Sequence, residues 1–345
     1  ARDDLESAEC KRLKRYALRS RERKEQLGEE RFREHPEATP LEYRTEYHRD
    51  RDRIIWSRPF KRLQHKTQVF PHYVEDHYRR RLTHTLEVAQ IATTLARALG
   101  LNEIAAEAMA LGHDLGHAPF GHAGERALND ALQDPAVNGD EPVGEVPIPL
   151  WGFNHCVHAI EVVSRIESDY KRGNAGYYGL NLTFDVRDGI LKHMIDSVPD
   201  PTQPYSTVDA VLAHDAYRDF GSNRGSLEAQ CVYFADKVAY LLGDMEDGLR
   251  REIFRAKELE EHDFFKLVCE KHRKQRKTKD RLRLRSHAEY PYFRRAALTV
   301  LILDCIKWAD RQLRDRAFAS VDDVLDCNQR IVFVSEKLQA AWDTL

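Results

Sequence analysis

Between Leu111 and Glu125 the chain reads L-G-H-D-L-G-H-A-P-F-G-H-A-G-E, which puts three histidines and two acids within fifteen residues. The whole chain has 16 histidines, so this local density is far above background. At its head, His113 and Asp114 pair a neutral imidazole with a carboxylate, a donor set suited to a borderline-to-hard divalent cation. Gly112 and Gly116 leave room for a close ligand. Two adjacent side chains cannot enclose an ion, so further ligands must project from buried helix faces. His84 precedes Val88, Ile91 and Leu95 on one apolar stripe, which turns its imidazole inward. Asp236 stands among Val232, Phe234, Ala235, Val238 and Ala239, where a carboxylate is costly without a cation or hydrogen-bond donors. Alone, His84 fits a hydrogen-bonded core histidine equally well, and Asp236 a structural ion pair. Together with His113–Asp114 they form the pattern H…HD…D, which favours a metal. Four protein ligands on an octahedral ion leave two positions, for water and for a substrate oxygen. Such a site activates water and polarises a phosphoryl group. No Ser or Cys nucleophile motif, Walker-type phosphate loop or Rossmann glycine signature competes with it.

The elements that must carry these residues are helical. Val88, Ile91, Ala92, Leu95 and Leu99 recur at helical spacing, and Gly100 suits the stop. Asn102 can cap the next helix, whose stripe is Ile104, Ala105, Ala108 and Leu111, so His113 and Asp114 fall at its end. Gly116, Pro119 and Gly121 break the chain, and a new helix beginning near His122 would set His122 and Glu125 on one face. Further helices fit 155–168, 227–249 and 293–313, with a last one near Val321–Trp342. The stretch 134–152, with four prolines and three glycines, reads as a loop. Alternating β-branched runs are rare. The expected fold class is all-α: an N-terminal charged helical arm over 1–50, exposed or packing, then a helical core over 51–250 and a C-terminal helical region over 251–345.

The 345 residues are 42% hydrophobic and 32% charged, with a formal net charge of -3, as in a globular protein with a solvated surface and no global pull towards nucleic acid or anionic lipid. The longest apolar run, Ala296–Leu303, is far short of the roughly 20 residues that span a bilayer, so no membrane partner is expected. The N-terminus has no apolar signal core. Six scattered cysteines without a C-x-x-C pair argue against a thiolate zinc cluster or a disulfide framework and for a cytoplasmic setting. The segment from Lys266 to Arg285 is strongly basic after an acidic stretch from Glu252 to Asp263. It fits a solvated, charged face, or else a phosphate-binding surface at a subunit interface or regulatory site.

These residues resemble the HD superfamily and, within it, the deoxyguanosinetriphosphate triphosphohydrolase-like family. The resemblance covers most of residues 40–250. It is carried by the blocks Arg49–Phe70, Asp76–Val88, the His113 block, G-L-N-L-T at Gly179–Thr183, and E-A-Q-C-V-Y-F-A-D-K-V-A-Y at Glu228–Tyr240. The extension G-H-x-P-F-G-H-x-G-E after the H-D pair is the specific part. Membership would imply an HD-domain fold and metal-dependent cleavage of deoxynucleoside triphosphates at the α-phosphorus, releasing deoxynucleoside and tripolyphosphate. His117 would contact the α-phosphate, and His122, oriented by Glu125, would be the acid–base group; a carboxylate fixes such a ring and stabilises its charged form. Arg81 and Lys237 would hold phosphates, while Gln68, Tyr240 and Asp244 would select the sugar. The metal would be Mn or Mg, with Fe, Co or Zn also compatible with two His and two Asp. The resemblance further implies a homo-oligomer, hexamer or tetramer, and an activating dNTP at a second site.

The chain departs from the family pattern F-E-H-N-x-Q-S-x-R, for Phe153–Glu161 is F-N-H-C-V-H-A-I-E. His155 is kept, but Cys156, His158 and Glu161 replace Asn, Gln and Arg. Gly243 stands where a histidine is usual. These changes touch base preference and effector binding and leave the metal and acid–base groups intact. Two alternatives stay open at this level: an HD phosphohydrolase acting on a nucleoside monophosphate or cyclic nucleotide, or a catalytically silent binder of nucleotides or single-stranded nucleic acid.

Overall fold

The computed structural model describes residues 2–37, 43–67, 80–133, 153–168, 176–193, 219–221, 223–277, 282–284 and 286–345. Among them every regular element is a helix, and the one β-type contact is an isolated bridge between Thr67 and Arg80. The fold is all-α, as expected. The chain divides into two compact units, Ala1–Tyr233 with Ala319–Gln329, and Phe234–Phe318 with Arg330–Leu345.

The first unit is built on α1 (Arg2–Arg12), α2 (Ser20–Leu27), α3 (Glu29–Phe32), α4 (Glu46–Trp56), α5 (Arg58–Arg62), α6 (Arg81–Leu99), α7 (Glu103–Gly112), α8 (Gly121–Gln133), α9 (His155–Glu161) and α10 (Phe184–Lys192). Its centre is α7, which packs on α6 and α4. The apolar stripe of α6 is buried, and Gly100 ends the helix in the left-handed region at φ 72°. Asn102 then caps α7 by accepting from the backbone N–H of Ile104 and Ala105, both at 3.1 Å. The expected helix over 155–168 continues from α9 as a π-helical turn, Val162–Ile166, a form frequent near functional sites. The Pro-rich stretch 134–152 lies outside the described residues.

The charge-dense N-terminal region packs rather than floats. Arg33 is buried and grips Glu46 Oε2 at 2.7 Å and Asp50 Oδ1 at 2.8 Å. Arg49 and Arg53 both hold Glu37, at 2.6 and 2.7 Å. Asp50 accepts from the Thr183 backbone N–H at 2.9 Å and its hydroxyl at 2.6 Å. Asn181, at φ 48°, bonds the His35 backbone through both ends of its amide. The G-L-N-L-T block is therefore a structural clasp between the N-terminal arm and α10.

A single long helix, α11 (Leu227–Arg250), carries the chain from the first unit into the second. The second unit adds α12 (Ala256–Glu261), α13 (Asp263–Arg276) and α14 (Tyr290–Arg316). Phe265 of α13 stacks on Phe293 of α14, with 4.4 Å between ring centroids. The front of the basic segment is thus an amphipathic helix: Phe264, Leu267 and Val268 are buried, while Lys271 pairs with Asp304. The expected last helix is two, α15 (Val321–Asp326) in the first unit and α16 (Glu336–Trp342) in the second. Asn328, at φ 44°, turns the chain out of helix. Ile331, Val332 and Val334 then bury themselves in non-helical backbone. No helix of the described residues is long and apolar enough to cross a membrane.

Candidate metal centre and active site

His113 follows the last residue of α7 and is fully buried. Its Nδ1 lies 2.6 Å from the Ala110 carbonyl. A carbonyl only accepts, so Nδ1 carries the proton and Nε2 is left as a lone pair. That Nε2 faces Asp114 Oδ1 at 3.4 Å, and the rings of His84 and His113 stand 5.6 Å apart. An imidazole lone pair and a carboxylate oxygen set face to face in a buried site repel each other unless a proton or a cation lies between them. The donor set therefore fits a divalent metal.

Arg81 and His84, one turn apart at the start of α6, are both turned inward and buried. Arg81 donates to Asp114 Oδ2 at 2.9 Å. Burial opposes ionisation of Asp114, but the positive charge around it, from His113 when its ring is protonated and from Arg81, outweighs burial and holds the carboxyl well below its usual value. Asp114 Oδ1 also lies 3.5 Å from His117 Nε2. Burial, with His155 and Arg81 beside it, keeps His117 well below the usual imidazole value, so its ring is neutral near pH 7.

The second half of the motif forms a relay around Glu125, which is 3% exposed. His122, at the N-terminal end of α8, lies 3.2 Å from Glu125 Oε2 through Nδ1. His155, the first residue of α9, donates its backbone N–H and its Nδ1–H to Glu125 Oε1, each at 2.8 Å. Burial would raise Glu125, but the hydrogen bonds from His122 and His155 hold it far below the usual carboxylate range. His122 is half-exposed and His117, His122 and Glu125 cluster closely enough to share one small ligand. His155 stacks on His117 with 3.9 Å between centroids. Gly116 permits this approach, for a Cβ there would lie 2.1 Å from the His155 carbonyl oxygen and 2.2 Å from the Ala159 nitrogen.

The first unit therefore brings together seven of the expected residues: Arg81, His84, His113, Asp114, His117, His122 and Glu125. Asp236 is buried on α11 in the second unit, one turn before Tyr240. Lys237, Tyr240 and Asp244 line a cavity of about 580 Å³ in the second unit, together with Phe254, His262 and Trp342. Gln68 lies outside the described residues.

Comparison with known proteins sets this geometry in a family. The HD domain family matches residues 81–241. The deoxyguanosinetriphosphate triphosphohydrolase-like protein of Pelagibacter ubique is 42% identical over 241 residues, which is 69% of this chain and 58% of that protein. The protein of the same description from Caldanaerobacter subterraneus is 41% identical over 273 residues, 79% of this chain and 63% of its own length. The one from Azoarcus sp. strain BH72 is 39% identical over 309 residues, 90% of this chain and 72% of its own. The chain belongs to the deoxyguanosinetriphosphate triphosphohydrolase-like family. It spans 58% and 63% of the length of the first two of these relatives. HD domains hold divalent metals, and the buried histidine–carboxylate clusters of this member fit that property.

Four residues of this member's site carry no role in the expectations from sequence. Lys66 donates to the His117 carbonyl at 2.6 Å. Burial, with Arg81 nearby, brings its ammonium down to about 8. Its only signal was its place in the matching block Arg49–Phe70. His155 was legible as a retained histidine but not as the second donor to Glu125. His193 ends α10, with its ring 5.0 Å from that of His113. Cys156 lies with its Sγ 3.5 Å from His155 Nε2. Burial raises this thiol, but His155 and His193 outweigh it and bring it down to about 6.

Proposed function

We propose that this chain is a metal-dependent phosphohydrolase that cleaves deoxynucleoside triphosphates at the α-phosphorus, giving a deoxynucleoside and tripolyphosphate. The observation that supports it most is Glu125 held between His122 and His155, beside the His113–Asp114 pair. That is a fixed acid–base group next to a metal set, the combination phosphoester hydrolysis needs. The relatives' description, deoxyguanosinetriphosphate triphosphohydrolase-like, supports the same substrate class.

His84, His113, Asp114 and Asp236 would hold the metal, Mn or Mg first, with Fe, Co or Zn also compatible. When bound, it supplies Lewis-acid polarisation of a phosphoryl oxygen and lowers the pKa of water. Arg81, positioned by Asp114, brings a fixed positive charge to the phosphate, and Lys237 a second. Neutral His117 presents a ring nitrogen to the α-phosphate without repelling Arg81. His122 moves the proton between the attacking water and the leaving 5′-oxygen as the new oxygen–phosphorus bond forms and the bond to the 5′-oxygen breaks. Glu125 stabilises the charged form of that ring. Tyr240, packed under the sugar, excludes a 2′-hydroxyl, while Asp244 and Gln68 bond the 3′-hydroxyl.

Incubation with Mn²⁺ or Mg²⁺ and each of the four dNTPs, followed by anion chromatography, is expected to give tripolyphosphate and a deoxynucleoside. Orthophosphate or pyrophosphate as the product would overturn the cleavage site, and turnover of a nucleoside monophosphate or cyclic nucleotide alone would overturn the substrate class. We also propose an oligomer, hexamer or tetramer, that an activating dNTP stimulates; the same panel with and without a second dNTP tests the stimulation.

A further inference from the structure

Next to the acid–base relay is a cluster that shares His155 with it and adds Cys156 and His193, which the proposed reaction does not use. Cys156, His155 and His193 are all buried, at 1%, 5% and 0% exposed. Cys156 Sγ lies 3.5 Å from His155 Nε2 and 4.0 Å from His193 Nε2. One ligand atom from each of the three lies within 4.8 Å of the others.

Both rings are already fixed through their other nitrogen. His155 Nδ1 donates to Glu125 Oε1 at 2.8 Å, and His193 Nδ1 donates to the Ile190 carbonyl at 2.7 Å. Because a carboxylate and a carbonyl only accept here, each Nδ1 keeps its proton, and Nε2 is the nitrogen turned towards Cys156 that would ligate once a metal displaces any proton on it. This is the outer-shell arrangement that orients metal-binding histidines, one with a carboxylate and one with a main-chain oxygen. A tetrahedral ion with bonds of about 2.3 Å to sulfur and about 2.05 Å to nitrogen sets sulfur and nitrogen roughly 3.6 Å apart. The observed 3.5 and 4.0 Å are within about half an ångström of that spacing.

We propose that Cys156, His155 and His193 form a second metal site, distinct from the HD ligand set, which takes a thiophilic borderline ion, zinc foremost. One thiolate and two imidazoles serve Mg or Mn poorly, because those ions prefer carboxylate and water oxygens. Three protein ligands leave one tetrahedral position open for water or a small anion. The two sites share a wall of histidines, since the His193 ring stands edge-on to that of His113.

The HD ligand set has no sulfur donor, so sulfur at the metal lies outside that set, and its loss on replacing Cys156 assigns it to the second site. X-ray absorption at the zinc edge on the zinc-loaded wild-type chain is expected to show sulfur at about 2.3 Å. The cobalt-loaded chain is expected to show a thiolate-to-cobalt charge-transfer band in the near ultraviolet. Cys156→Ser should lose that band and bind one zinc ion fewer per chain. Should that variant fail to fold, His193→Gln keeps the thiol and is expected to weaken zinc binding at this site at least tenfold. A wild-type chain with no sulfur at zinc and no charge-transfer band overturns the proposal, as does a band that survives in a folded Cys156→Ser. None of these measurements reads hydrolysis, so their outcome is independent of the substrate assigned to the HD centre.

Discussion

At the scale of single residues, the site separates metal retention from proton transfer. His113 points a lone pair at Asp114 across 3.4 Å and is fully buried. His122 is half-exposed and answers to Glu125 instead. His113→Ala is therefore expected to abolish turnover together with bound metal. His122→Ala should lower turnover by roughly 10²–10⁴-fold, the usual worth of a positioned acid–base group, and retain the metal. Metal content by atomic emission, measured beside the rate, distinguishes the two; loss of metal from His122→Ala would show that its role is wrongly assigned.

At the scale of elements, Glu228 shows how a helix start can lock distant segments. It is fully buried near the start of α11, and one carboxylate oxygen accepts the backbone N–H groups of Leu18 and Asn102, each at 2.9 Å. One side chain thereby ties the N-terminal arm, the turn between α6 and α7, and α11. Burial is the main cause that lifts its carboxyl from 4.5 to about 7, against the hydrogen bonds that favour the charged form. A raised folded-state value means the native chain binds an extra proton between those limits. The contribution of Glu228 to stability is complete below about pH 4.5 and is lost as the pH rises through about 7. Glu228→Gln, which imitates the protonated side chain and keeps an acceptor oxygen, should raise the melting temperature at pH 8 and change it little at pH 5. Equal shifts at both pH values would refute this account.

At the scale of the molecule, the ion pairs around Arg33 make the N-terminal arm part of the first unit. Arg33, Glu46 and Asp50 are 5%, 4% and 0% exposed. Removing one partner of a buried ion pair leaves an uncompensated charge, which costs about 3–5 kcal/mol. Arg33→Ala should show a loss of that size in urea unfolding; a change under about 1 kcal/mol would mean the arm contributes little to the fold. An arm held this way also fixes α10, through Asp50 and Thr183, and with it the position of His193.

Much of the centre was legible in the sequence because two of the four expected ligands, His113 and Asp114, and the acid–base pair lie in one short run of unusual composition. Helical periodicity, set by the 3.6-residue repeat, fixed the inward direction of His84 and the shared face of His122 and Glu125. The capping residue Asn102 and the stop at Gly100 were also local matters of backbone chemistry, and they stand as expected. What the sequence could not decide was which distant side chains would meet. His155 joins Glu125 because Gly116 lets α9 rest against the turn after α7, a contact across about 30 residues with no local signature. The charged N-terminal region stayed open between an exposed and a packing arm, because composition cannot tell a paired, buried arginine from an exposed one. The Cys156 cluster likewise exists only because α9 and the end of α10 come together. Residue type and spacing determined the chemistry of the HD motif; long-range packing alone decided what surrounds it.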